Sequence, residues 1–135
     1  MKDIIQNIET IHQRIHSACI KCGRDSKDIK LLLATKTVSA ENILVALKSG
    51  ENLIAENKIQ ELKEKFETLS TIPHETHFIG HLQTNKINEV IKYAQCIQSI
   101  DRIELAEKLQ KRLEFENKTL NIFLQVNTSY EESKY

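Results

Sequence analysis

The chain has 135 residues, 40% of them hydrophobic and 28% charged, and its nineteen Lys and Arg balance nineteen Asp and Glu for a formal charge of zero. That composition predicts a single globular domain over residues 1–135, and the balanced charge leaves no electrostatic footprint for nucleic acid or an anionic membrane. No apolar run approaches the roughly 18 residues that cross a bilayer and the N-terminus lacks a signal-peptide core, so a cytoplasmic location is expected. Three cysteines, Cys19, Cys22 and Cys96, are an odd count that predicts reduced thiols rather than a disulfide framework.

From Asp3 to Cys22 the apolar residues Ile4, Ile8, Ile11, Ile15, Ala18 and Cys22 recur in steps of three and four. They predict a leading helix over 3–22 with Gly23 as its C-cap. Leu31 to Ala34 is a short continuous apolar run that reads as a parallel strand buried on both faces, ending at Thr35 and Lys36. Ser39 is the predicted N-cap of a helix through Ile43, Leu44 and Leu47 that closes at Gly50, and Leu53 to Ala55 is a second buried strand. Asn57 is read as the cap of a third helix, with Gln60 completing a box-like start and Ile59, Leu62, Phe66 and Leu69 on its inner face, ended by Pro73. His77 to Gly80 is a third strand, followed by a helix marked by Ile87, Val90 and Ile91. Cys96 to Ile100 is a fourth, after which Asp101 to Glu104 reads as a capping box opening a helix through Leu105, Leu109 and Leu113. Leu120 to Val126 is the fifth.

Strands that alternate with helices at this rhythm are parallel βαβ units, and the missing G-x-G-x-x-G after the first strand favours a TIM-type (β/α) barrel over a doubly wound dinucleotide fold. Active sites in parallel α/β folds lie at the carboxyl ends of the strands. The residues there are Lys36, Glu56 and Asn57, Gly80 and His81, Asp101 and Arg102, and Asn127 to Ser129. Lys36 has two readings: an amine desolvated by the apolar run before it and so made nucleophilic toward aldehydes, or a lysine snorkelling at a strand end. His81 either lines a pocket mouth or faces water. Asn85 and Lys86 could help hold an anion or simply form a first helical turn. Cys19-x-x-Cys22 and the face of His12, His16 and Cys19 lack the further ligands of a metal site and read as core packing and a solvated flank.

Five blocks are shared in order and spacing with a known family: Leu32 to Val38, Ala55 to Glu61, His77 to Lys86, Ser99 to Arg102, and Gln125 to Ser129 with Glu132 to Lys134. On them the chain resembles the N-terminal portion of the pyridoxal phosphate homeostasis proteins, which are similar to the N-terminal barrel of alanine racemase. The resemblance implies that Lys36 forms a Schiff base with pyridoxal 5′-phosphate (PLP). Asn57, His81 and Lys134 are further candidates to contact the cofactor, and Lys134 could also compete for the aldehyde. The chain departs from the family at Ala55-Glu56-Asn57-Lys58, where Gly-Glu-Asn-Tyr is usual, and at Thr76-His77-Phe78, where Trp-His-Phe is usual. The family continues past the equivalent of Tyr135 with strands that carry its phosphate-binding loops, so about five of the eight barrel units are expected here.

The implied function is a non-catalytic PLP-binding protein in PLP homeostasis, with PLP-dependent apoenzymes as candidate recipients. The alternatives are a racemase-like enzyme, which would draw a second base from an additional β domain, and a truncated remnant that binds nothing tightly. An incomplete barrel leaves two open strand edges, so self-association through them is expected.

Overall fold

In the computed structural model, which describes residues 2–132, five helices and five strands alternate. α1 (Lys2–Cys22) leads. It is followed by β1 (Leu33–Ala34), α2 (Ala40–Lys48), β2 (Leu53–Glu56), α3 (Ile59–Leu69) and β3 (Glu75–Phe78). α4 (Ile87–Tyr93), β4 (Cys96–Ile100), α5 (Ile103–Glu116) and β5 (Asn121–Leu124) complete the order. The strands form one parallel sheet in the order β1-β2-β3-β4-β5. A strictly sequential parallel order with right-handed crossovers places every helix on the same side of the sheet. Each helix accordingly packs on the next, α1 on α2 through α4 on α5. This is an open arc of a (β/α) barrel, a distinction that sequence rhythm alone does not make.

Local chemistry explains the elements. Ser39 caps α2, its Oγ accepting from the Asn42 N–H at 3.2 Å, and Gly50 (φ 114°) supplies the turn that ends it. The core lies between sheet and helices. Its larger part joins Leu62 of α3, Phe78 of β3, Val90 and Ile91 of α4, Ile97 of β4 and the Leu105, Leu109, Leu113 stripe of α5. A smaller cluster joins Ile43, Leu47, Ile54 and Leu69. Each such side chain contributes about 1.5–3 kcal/mol when fully buried.

Several local readings are corrected. β1 is two residues long, with Leu31 to Leu33 only half-buried and Ala34 exposed, because an edge strand has no neighbour on its far side. β5 is shorter than Leu120 to Val126 and exposed throughout, for the same reason. The N-cap of α3 is Lys58, without a side-chain bond, and Gln60 bonds Glu64 rather than closing a box with Asn57. α3 ends at Leu69 before Pro73, where the Ser70 hydroxyl donates back to the Phe66 carbonyl at 2.6 Å. Phe66 is largely exposed and meets Tyr93 edge-on, while Lys65 takes the inner position. β3 starts at Glu75 and ends at Phe78, since pairing with β2 begins at Leu53 and Glu75. Asp101 does not cap α5: Arg102 is the N-cap residue and Asp101 is drawn into ion pairs instead. Cys19 is buried as expected but Cys22 is exposed.

Candidate functional site at the carboxyl ends of the strands

Lys36 stands where the first strand ends, and it is exposed. The apolar run before it is only half-buried at Leu31 to Leu33 and exposed at Ala34, an arrangement in line with the reading of Lys36 as a lysine reaching out at a strand end. What the structure does provide is a fixed turn. The Val38 N–H donates to the Thr35 carbonyl at 3.1 Å, closing a four-residue turn with Lys36 and Thr37 at its centre. Thr37 has φ 63°, the positive value that a type II turn requires at its third position and that a β-branched residue rarely takes. Such a conformation costs on the order of 1–3 kcal/mol and persists only when its surroundings enforce it.

The enforcing groups come from β2 and α3. Lys65, 8% exposed, donates from Nζ to the Thr35 carbonyl at 2.9 Å, to Glu56 Oε2 at 2.9 Å and to Glu61 Oε1 at 3.0 Å. The three donors of an ammonium group thus meet three acceptors. Glu56, 1% exposed, receives the Thr35 hydroxyl on Oε1 at 2.7 Å, and Glu61 Oε1 accepts the Thr37 N–H at 2.7 Å. That backbone bond first, and Lys65 second, hold the Glu61 carboxyl below its usual range near 4.5. A depressed carboxyl pKa gives stability that is full above the unfolded value and is lost as the pH falls through the folded one. This network is absent from the expectations drawn from sequence. The signals for it were a lysine at a helix position spaced three and four residues from Leu62 and Leu69, and a glutamate closing a buried strand.

The rim continues with Asn57, Gly80, His81 and Asp101. The Asn57 Oδ1 is buried without a partner among the described residues, and the Ile79 N–H donates to the Glu56 carbonyl at 2.9 Å, holding the ends of β2 and β3 together. Asp101 pairs with Arg102 at 2.7 Å and lies 3.8 Å from His81 Nδ1, and Arg102 also donates to the Leu82 carbonyl at 2.5 Å. His81 is therefore near the fourth strand's end and is partly exposed. Lys86 is engaged with Glu89 at 3.3 Å. Lys134 lies outside the described residues. The structure thus brings Lys36 and Asn57 to one end of the sheet with His81.

At the other end of the strands an open cavity of about 1110 Å³ has Leu31, Leu53, His77, Cys96 and Phe123 in its wall. His77 Nε2 lies 2.8 Å from a Glu75 carboxylate oxygen and Nδ1 lies 2.7 Å from the Gln98 side-chain amide nitrogen, so both ring nitrogens are engaged. Burial, and secondarily Glu75, push the Cys96 thiol up, which keeps it protonated and unreactive. Among the described residues no group of three or more His, Cys, Asp or Glu is placed to hold a metal, and no helix is long and apolar enough to cross a membrane.

The aldehyde end of PLP fits this rim in one respect: an exposed primary amine, Lys36, stands at the end of the first strand. Of the cations at this end of the sheet, Arg102 is engaged with Asp101 and the Leu82 carbonyl, and Lys86 with Glu89.

Fold and rim together define the opening units of a parallel (β/α) barrel with a lysine at the end of its first strand. By sequence the chain is homologous to the N-terminal portion of the pyridoxal phosphate homeostasis proteins, being 37% identical over 129 residues to the one from Aquifex aeolicus. That alignment covers 96% of this chain and 57% of the Aquifex protein, so the chain spans less than two thirds of its curated relative's length. No protein-family model matches the chain. Among solved structures, an unknown protein from Bifidobacterium adolescentis superposes with a TM-score of 0.92 at 35% identity, covering 98% of this chain and 58% of that one. PipY of Synechococcus elongatus, solved with PLP bound, superposes with a TM-score of 0.74 at 25% identity, covering 90% and 56%.

Proposed function

We propose that the protein binds PLP as a Schiff base on Lys36 and serves cytoplasmic PLP homeostasis as a carrier rather than an enzyme. The observation that carries this reading is the exposed Lys36, presented on a held turn at the carboxyl end of the first parallel strand. The name of the Aquifex relative and the PLP-bound PipY structure support it. Lys36 would hold the cofactor through its Nζ, and bound PLP would supply the aldehyde carbon with which a primary amine condenses, releasing water. Asn57 and His81, which follow the second and third strands at the same end of the sheet, are the further candidates to contact the cofactor, with Lys134. PLP-dependent apoenzymes are the proposed recipients.

Borohydride reduction after addition of PLP is expected to fix the cofactor on the peptide containing Lys36, and the Lys36→Ala variant is expected to lose that label. Equal labelling of both proteins would remove Lys36 from the reading. Pyridoxal is expected to bind nearly as well as its phosphate, since each charge-assisted bond to a phosphate is worth about 1.5–3 kcal/mol and both Arg102 and Lys86 are already engaged with protein acceptors.

The open sheet supports a second proposal, that this chain self-associates. β1 and β5 are its free edges, and β5 exposes Phe123 at 55% and Leu124 at 72%. Unpaired edges beside apolar side chains drive association. Light scattering at tens of micromolar is expected to show a dimer or larger species; a cooperative, well-folded monomer would refute it.

A further inference from the structure

We infer that Lys65, Glu56 and Glu61 act as a positioning unit for Lys36, fixing the turn from which its amine reaches the cofactor. The inference rests on the assignment of Lys36 as the PLP-bearing residue and adds the groups that make this lysine, rather than another exposed one, the preferred amine.

Both residues that flank Lys36 in the chain are gripped from beneath. Thr35 gives its carbonyl to Lys65 Nζ and its hydroxyl to Glu56, and Thr37 gives its N–H to Glu61. The Lys36 side chain is not held by this network and stays exposed, while the two peptide units on either side of it are fixed. The positive φ of Thr37 is the element under strain, and Glu61 is the group that bonds its N–H. A condensation that is reversible depends on how well the amine is oriented, because orientation is settled before the C=N bond forms. Exposed lysines elsewhere, such as Lys63 and Lys108, sit on helix surfaces with no comparable support. Lys65 is an amine as well, but its three donors are committed and it is buried, so it is a structural cation and not a competitor for aldehyde.

Glu61 is the residue to test, since it lies nearer the surface than Glu56 and its removal leaves the Glu56 and Lys65 pair in place. Glu61→Ala is expected to raise the apparent dissociation constant for PLP by about tenfold or more and to spread borohydride label from Lys36 to other lysines. Glu61→Gln, whose amide oxygen still accepts the Thr37 N–H, is expected to stay within about threefold of the parent. A core variant matched to Glu61→Ala for loss of thermal stability, such as Leu109→Val, is expected to keep parental affinity and label distribution. Unchanged affinity and labelling in Glu61→Ala would overturn the inference, and so would equal loss in the Ala, Gln and core variants. Hydrogen exchange at the Thr37 amide gives a readout without cofactor: at least about tenfold faster in Glu61→Ala, and parental in Glu61→Gln. If the parent takes no label on Lys36, the PLP assignment fails on its own. Unaltered Thr37 exchange in Glu61→Ala overturns the positioning network independently of it.

Discussion

Replacement of Lys65 by methionine is expected to destabilise the protein by about 3–5 kcal/mol, the usual cost of removing one partner from a buried ion pair. Methionine keeps most of the apolar stem but leaves Glu56, 1% exposed, facing the Thr35 hydroxyl with its cation gone. The Thr35 carbonyl loses a bond at the same stroke. Urea unfolding should show the midpoint falling with the slope unchanged, which marks a change in stability rather than in compactness. Adding Glu56→Gln to Lys65→Met should recover part of the loss, because a neutral amide no longer requires the ammonium. A loss below about 1 kcal/mol would place the cluster among exposed pairs and contradict its burial.

Gly80→Ala is expected to cost about 3 kcal/mol or more, beyond the usual range for added volume, because the obstacle is backbone. A Cβ at Gly80 would overlap the Asn57 carbonyl oxygen and sit 2.8 Å from its carbonyl carbon. Relief requires separating the ends of β2 and β3, which the Ile79 to Glu56 bond holds together. The melting temperature should fall on the order of 10 °C. Gly23→Ala is the natural control: Gly23 has φ 68° but nothing within 4 Å of an added methyl, so only the left-handed penalty of about 1–2 kcal/mol applies. Equal effects at the two glycines would show that contact with Asn57 is not what restricts Gly80.

The architecture was legible from sequence because its signals are local. β4 falls on Cys96–Ile100 as read, Ser39 caps α2, and the leading helix runs to Cys22. Lys36 was legible as a candidate from its place after the first apolar run and from the family resemblance. What was hidden depended on partners distant in the chain. Asp101 carries the sequence signature of a cap, yet the Arg102 guanidinium and His81 compete for its carboxylate and hold it. Phe66 and Lys65 are adjacent on α3, and hydrophobicity favours burying the aromatic; Glu56 reverses the choice by offering the ammonium a buried countercharge. The length of β1 could not be read either, since an apolar run does not reveal that its strand lies at an edge.

The strictly sequential strand order has a consequence for how the chain acquires its structure. Leu33 pairs with Ile54, Ala55 with His77, and Phe78 with Ile97, so each pairing closes a loop of only one βα unit. Short loops of similar size carry similar, modest closure entropies, and no pairing has to wait for a segment at the far end of the chain. Assembly can therefore proceed vectorially, each hairpin-like βα unit docking on the last as it leaves the ribosome, with the N-terminal units ordered first. Throughout such growth the most recently added strand is the template edge on which the next unit pairs.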